Sequence, residues 1–570
     1  MRYKGNGVSE GYAIGKVFRY QPIQPEITKN IIKDEDIDEN LNSYNDICKK
    51  SKEKLNKIIE SLKQEDEDKS KIFEAHINIL EDEVLIEDIK TCIKVQKYRV
   101  DWAIHTTFET YIQLIGKSGN ALIRERAADL LDVRNRLINE WFHVDNCSLD
   151  NLQEPLILLA HDLLPSDTAR LDRKNVLAII NEIGGNTSHT AILARGFGIP
   201  AILGVEDAMS IFSEKELLIV DAFKGEIIRN PSEKHILEYK KKINEHNSYI
   251  EIMKDYLNKP ALTKDEIKIE IGLNIGGLDQ ELEKQEQYVD TIGLFRTEFL
   301  YMNSKELPSE QEQYGVYKKV LEVYGDKPVI LRTMDIGGDK TVPCLYMEKE
   351  DNPFLGNRAL RLCFKHVEIF KTQLRAALRA SVFGNLWIMF PMVSSVDDIY
   401  KAKAILEEVK NELIAKDISF SHNIKVGIMI ETPSMVLMAD KILNMIDFAS
   451  IGTNDLCQYL TAVDRTNPSV SSYYQSYHPS LFIAIKDLAY KFSKANIPLS
   501  ICGEIAGDPL VAPVLVGLGI RKLSMSFSSL AKVKKTISEK TLEEMKADAL
   551  SVLSMDTSCE IEEYLKKSIK

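Results

Sequence analysis

A chain of 570 residues is too long for one hydrophobic core and points to three or four domains. With 44% hydrophobic, 28% charged and 8% aromatic residues it has the balance of a globular protein, which excludes a disordered or collagen-like chain. A formal net charge of -13 argues against a nucleic-acid footprint, and neither a signal peptide nor a transmembrane run is legible, so a cytoplasmic protein without membrane insertion is expected.

The eight cysteines are scattered with no C-x-x-C pair, which points to core thiols rather than disulfides or zinc. The opening YAIGKVFRY reads as a strand. Residues 34–143 then read as helical: Ile37, Leu41, Tyr44, Cys48, Leu55, Ile58, Ile59 and Leu62 recur at helical spacing, and Phe73, Ile77 and Leu80 continue the pattern. No proline falls between Glu26 and Pro155, and the polar breaks QEDEDKS and GKSGN divide the run, which predicts a small antiparallel bundle. The acidic Glu81, Asp82 and Glu83 read as a solvated helix face.

From Pro155 the period changes. PLILLA, NVLAIIN, IPAILGV and ELLIVDA are short β-branched runs, with SHTAILARGFG as a helix between the second and third. They predict a compact α/β domain of residues 1–33 and 144–230, with the helical region 34–143 inserted after its first strand. Residues 231–262, charged and without a core of their own, predict a linker helix.

Across 263–570 eight strand-like runs alternate with room for helices: 267–275, 290–296, 328–334, 386–392, 425–431, 447–453, 498–503 and 521–526. The alternation predicts a closed (β/α)8 barrel, a fold that puts its chemistry at the C-terminal strand ends. There stand Arg296, Thr297 and Glu298, then Arg332, Asp335 and Lys340, then Glu431, then Asn454, Asp455 and Arg465, then Cys502 and Glu504. Any one alone is as readily a structural ion pair. Together they predict a pocket for a small, highly charged anion, because arginine forks suit phosphate and carboxylate oxygens. Two carboxylates, Glu431 and Asp455, suit a hard cation such as Mg2+ that takes its other oxygens from substrate and water. A thiol such as Cys502 could protonate a developing carbanion.

His189 begins the helix that follows a strand and a glycine pair, with Thr187 or Ser188 as the candidate N-cap. Backbone N–H groups and the helix dipole there favour anionic oxygens, and a neutral imidazole can attack phosphorus.

The stretches GLFRTEFLYM, LRTMDIGGDK, NPFLGNRALRLC, GIMIETP, SIGTNDLCQYLTAVDR, CGEIAGD and GGNTSHTAILARGFGIPA, in order over nearly the whole chain, resemble the Enzyme I family of the bacterial phosphoenolpyruvate:sugar phosphotransferase system. The resemblance implies that phosphoenolpyruvate phosphorylates His189 with Mg2+ and that the phosphoryl group passes on to a histidine of the carrier protein HPr. It implies substrate contacts from Arg296, Arg332, Arg358, Asn454 and Arg465, a metal on Glu431 and Asp455, and enolate protonation by Cys502. It also implies Thr168 as a hydrogen-bond partner of the imidazole, an HPr-docking edge at FEAHINILEDEVL, and a homodimer through the barrel. Asn186, Asn303, Asn357 and Thr466 depart from the family's usual arginine, aspartate, tryptophan and glycine, and none of these is a principal catalytic group. A pyruvate phosphate dikinase or phosphoenolpyruvate synthase would need an ATP-binding domain for which the chain has no room. A catalytically weak regulatory paralogue is opposed by the intact charged set.

Overall fold

The computed structural model describes residues 1–568 apart from 24, 64–66, 117–120, 145–148, 150–151, 170, 172–173, 186–187, 279–281, 303, 305, 339 and 341. The positions Asn186, Thr187 and Asn303 singled out above therefore lie outside the described residues, as does the side chain of His189. The chain forms two compact units, Met1–Tyr249 and Ile250–Lys570.

In the first unit α1 (Ile37–Lys63), α2 (Glu67–Leu80), α3 (Glu83–Lys94), α4 (Val100–Gly116) and α5 (Ala121–Phe142) make the helical region. Their apolar stripes meet in a core where Leu55, Phe73, Ile89, Ile104, Phe108 and Val133 are wholly buried. The acidic cluster is not a continuous helix face. It is the turn between α2 and α3, where the Asp82 carboxylate accepts from Leu85 N at 2.9 Å and caps α3.

The rest of the unit is one eight-stranded sheet of β1 (Arg2–Lys4), β2 (Asn6–Ser9), β3 (Tyr12–Tyr20), β4 (Leu156–Ala160), β5 (Val176–Asn181), β6 (Ala201–Leu203), β7 (Leu217–Asp221) and β8 (Glu226–Arg229), ordered β1-β8-β7-β3-β4-β5-β6-β2. β3 pairs in parallel with β4 across the helical insertion. β1, β2 and β8, at three or four residues each, are too short and too polar to have shown in the sequence. β1 and β2 lie at opposite margins of the sheet yet are separated only by Gly5, so the sheet curls until its margins nearly meet. A Cβ on Gly5 would sit 2.6 Å from Val205 Cγ2 and 2.9 Å from Leu203 O, which is why glycine stands there.

Three helices complete the unit's frame around the site: α6 (Pro165–Ala169), α7 (His189–Phe197) and, after the short α8 (Ala208–Ile211), α9 (Glu233–Asn258). The first half of α9 is anchored on the sheet by Tyr239, whose hydroxyl donates to Asp221 Oδ2 at 2.9 Å.

In the second unit β9 (Glu270–Ile275), β10 (Thr291–Arg296), β11 (Val329–Arg332), β12 (Leu386–Phe390), β13 (Lys425–Ile430), β14 (Phe448–Ile451), β15 (Leu499–Ile501) and β16 (Lys522–Met525) close into a parallel barrel, each inside one of the eight predicted runs. Leu294, Ile330, Trp387, Met389, Met429 and Phe448 of the strands, with Cys502 just after β15, form a buried cluster. That packed core leaves the C-terminal rim as the place for a pocket.

Candidate active site

At that rim a cavity of about 330 Å³ is lined by Arg296, Arg332, Glu431, Asn454, Asp455, Arg465 and Cys502 together with Lys340 and Asp335. Seven of the nine residues singled out by sequence are thus brought together. His189 belongs to the first unit, and Arg358 stands behind the cavity wall.

Arg332 ends β11 with its side chain only 6% exposed. Its Nη2 donates to Glu298 and lies 3.1 Å from Asp335 Oδ2, while Lys340 Nζ reaches Glu298 Oε1 at 2.7 Å and Asp335 Oδ2 at 3.1 Å. Burial opposes ionisation, yet the Arg332, Lys340 and Arg358 charges hold the Asp335 carboxyl well below the usual carboxylate range. Arg332 is not used up by these contacts. Among the described residues its Nε has no partner, and Nη1 meets only the Met429 sulfur at 3.7 Å. Buried donors of this kind are costly unless an oxygen meets them, so Arg332 is prepared for an anionic ligand. Arg296, at the end of β10, is exposed on the rim of the same cavity.

Glu431 follows β13 and is wholly buried. Its Oε1 accepts from Met392 N at 2.6 Å, whereas Oε2 has no partner. Burial first, then the neighbouring Asp455 and Asp335 carboxylates, push its carboxyl up to about 8. An unpartnered carboxylate oxygen beside a second carboxylate is the donor set a hard divalent cation fits. Gly452 keeps the space open, since a Cβ there would lie 2.8 Å from Glu431 Oε2. Among the described residues no three His, Cys, Asp or Glu side chains cluster as ligands, so a cation here would draw its remaining oxygens from elsewhere.

Asn454 and Asp455 open the helix Thr453–Leu460 after β14. The Asn454 amide is held by Glu504, donating to its Oε1 at 2.9 Å and accepting from its backbone N at 3.1 Å, which ties the β14 and β15 ends together. Arg465 brings Nη2 to 3.9 Å from Asp455 Oδ1. Cys502 is 3% exposed, and burial pushes its thiol up, so it stays protonated at neutral pH and can give a proton.

Arg358, which the resemblance implies as a substrate contact, holds two of the cavity's carboxylates in this structure. Its Nε and Nη2 donate to Asp335 at 2.9 and 3.0 Å, Nη1 and Nη2 to Asp455 at 3.0 and 3.1 Å, and Nη1 also to the Tyr459 hydroxyl at 3.4 Å. Those five contacts match the five N–H donors of a guanidinium. Arg358 is a positioning residue that fixes the two carboxylates. Arg358→Gln is expected to leave buried charges unmatched and to destabilise the barrel by about 3 to 5 kcal/mol. Calorimetry of the full chain should show the barrel transition falling while that of the first unit stays.

Tyr474 and Met429 also line the cavity. Neither was singled out: Tyr474 lies in an aperiodic loop, and Met429 reads as a core residue of its strand.

In the first unit, Ser188 and not the alternative Thr187 is the N-cap of α7, its Oγ accepting from Ala191 N at 3.3 Å. His189 is therefore the first residue of the helix. Thr168 in α6 is buried and donates to Pro165 O at 2.9 Å, so a hydrogen bond with an imidazole would be one in which its hydroxyl accepts.

The chain matches three families: PEP-utilising enzyme, N-terminal, over residues 4–126; PEP-utilising enzyme, mobile domain, over 152–225; and PEP-utilising enzyme, PEP-binding domain, over 251–542. It is 40% identical over 574 residues to a phosphoenolpyruvate-protein phosphotransferase of Bacillus subtilis (strain 168), covering 100% of this chain and 99% of the relative. To a protein of the same description from Priestia megaterium it is 39% identical over 566 residues, covering 99% and 98%. It is also similar to a solution structure of an Enzyme I protein, with 35% identity and a TM-score of 0.39 over 43% of this chain and 99% of that one.

Proposed function

Because the chain belongs to the phosphoenolpyruvate-protein phosphotransferase family, we propose that His189 takes the phosphoryl group of phosphoenolpyruvate bound in the barrel cavity and passes it to a histidine of the carrier protein HPr. The observation that carries this reading is the pairing of Arg332, with an unfilled buried donor, and Glu431, with an unpartnered buried oxygen, on one charged cavity.

Phosphoenolpyruvate presents a carboxylate and a phosphate in one small body. Arg296, Arg332, Arg465 and Lys340 supply the cationic wall that gathers such an anion, and Asn454 supplies a rigidly held amide. Glu431 and Asp455 would hold Mg2+, which when bound neutralises substrate charge. The phosphorus–oxygen bond breaks as the imidazole of His189 attacks, the electrons stay on the enolate of pyruvate, and the Cys502 thiol gives its proton to the methylene carbon. Phosphohistidine at the start of α7 meets free backbone N–H groups and the positive end of the helix dipole.

HPr docking at FEAHINILEDEVL is supported by the exposed Val84 beside the acidic turn between α2 and α3. A homodimer through the barrel is supported by exposed apolar side chains such as Leu355 and Leu437 on that unit. A cytoplasmic location is supported by the cysteines, all free among the described residues. No helix of the described residues is long and apolar enough to cross a membrane.

Incubation with labelled phosphoenolpyruvate and Mg2+, then with HPr, tests the reading. Acid-labile label on the chain that moves to HPr without ATP is expected. Label that needs ATP would mean a dikinase, and no label a binding protein. Cys502→Ala is expected to slow pyruvate formation by about 10² to 10³. Because the same barrier must be climbed in reverse, rapid-quench kinetics with labelled pyruvate and phosphorylated enzyme should show an equal loss, whereas binding of oxalate, which needs no proton, should stay within about twofold.

A further inference from the structure

The first unit holds a second cavity, of about 520 Å³, where the helical bundle meets the sheet. The chemistry above makes no use of it. Its walls come from α1, α4, α5, the crossing from β3 to α1, and the start of α6. The volume lies in the range of small-molecule sites.

Its lining has two characters. Part of it is apolar, with Pro22, Ile58, Ile138, Val144, Leu149 and Leu164. The charged side chains are unequal: Lys54, Lys57, Arg134 and Arg136 face Asp132, Glu140 and Asp167. All three carboxylates are engaged. Asp132 accepts from Ser166 N and Ser166 Oγ, each at 2.9 Å, Glu140 from Lys54 Nζ at 2.6 Å, and Asp167 from the Tyr20 hydroxyl at 2.6 Å and Leu164 N at 3.0 Å. Lys57, by contrast, makes no ion pair or hydrogen bond among the described residues. His105 presents a buried Nδ1 without a partner, on an imidazole that burial keeps neutral.

We propose that this cavity binds a small organic acid, with its anionic head on Lys57 and its ring or branched hydrocarbon body against the apolar side chains. A free ammonium selects a single anionic group, His105 offers one further polar contact, and the apolar side chains reject a fully hydrated ion such as inorganic phosphate. Ser166 and Asp167 also line the cavity, which places its occupant beside α6, and α6 packs on α7.

Fluorescence titration of the full chain with 8-anilinonaphthalene-1-sulfonate, in the absence of phosphoenolpyruvate and metal, tests this separately from the barrel chemistry. One saturable site is expected. Lys57→Glu, on an exposed helix face, should weaken it by about tenfold or more through charge reversal. Asn139→Trp, which puts an indole into the half-exposed cavity wall, should abolish it. Hydrogen exchange should slow at the amides of residues 165–169 when the probe saturates. No saturable site, an affinity unchanged in either variant, or unaltered exchange in α6 would each overturn the assignment.

Discussion

Replacing His189 with alanine is expected to abolish phosphorylation of the chain by labelled phosphoenolpyruvate, a loss on the order of 10⁵ or more, as when the nucleophile of a covalent enzyme is removed. The residue begins α7, which Ser188 caps by accepting from Ala191 N. An alanine keeps the helix and its cap, so circular dichroism and thermal unfolding should not change. The cavity lined by Arg296, Arg332 and Arg465 belongs to the other unit. Equilibrium binding of phosphoenolpyruvate to the variant should therefore stay within about twofold of wild type. A variant that loses binding as well as phosphorylation would show that the histidine has another role.

Glu431→Gln carries the second large effect. The substitution is nearly isosteric, and the glutamine oxygen can keep the contact from Met392 N. It removes the ability of the oxygen that has no partner among the described residues to take up negative charge when a cation displaces the carboxyl proton. Transfer from phosphoenolpyruvate with Mg2+ should fall by about 10³, since a cation loses a charged ligand and the substrate loses its charge neutralisation. Manganese binding, followed by the paramagnetic signal of the free ion, should weaken by about a hundredfold. Without metal, the melting temperature at neutral pH should stay level or rise, because a carboxyl that burial beside Asp455 and Asp335 raises to about 8, and that must therefore take up a proton on folding, is replaced by a neutral amide. A fall in metal-free stability would show that the arginines nearby already satisfy Glu431.

The barrel was legible because each strand is a short, mostly buried run, and the parallel fold gives a repeating alternation that one sequence displays. The charged ends were legible for the same reason: once strands are placed, Arg332 and Glu431 can only be at their ends. Arg358 shows where that reading stops. Its partners Asp335 and Asp455 are 23 and 97 residues away in the chain. Nothing in NPFLGNRALRLC reveals that both are bound by one guanidinium. Tyr474 was invisible because an aperiodic loop carries no period to interpret. The acidic residues Glu81, Asp82 and Glu83 misled for a smaller reason: on a helix face and in a helix-start turn the same composition is favoured, and only the Asp82 cap geometry separates the two. In the sheet, β3 and β4 could be read as neighbours-to-be, but β1, β2 and β8 are too brief to hold an alternation.

Gly5 makes the protein's opening residues do more than begin it. One short ribbon seals two distant borders, β8 on one side and β6 on the other. Trimming the first nine residues would expose both borders together, each with a row of unsatisfied amides and carbonyls ready to pair with another molecule. The hazard of such a clipped form is fibre-like self-association, and it would begin in the first unit rather than in the edgeless barrel.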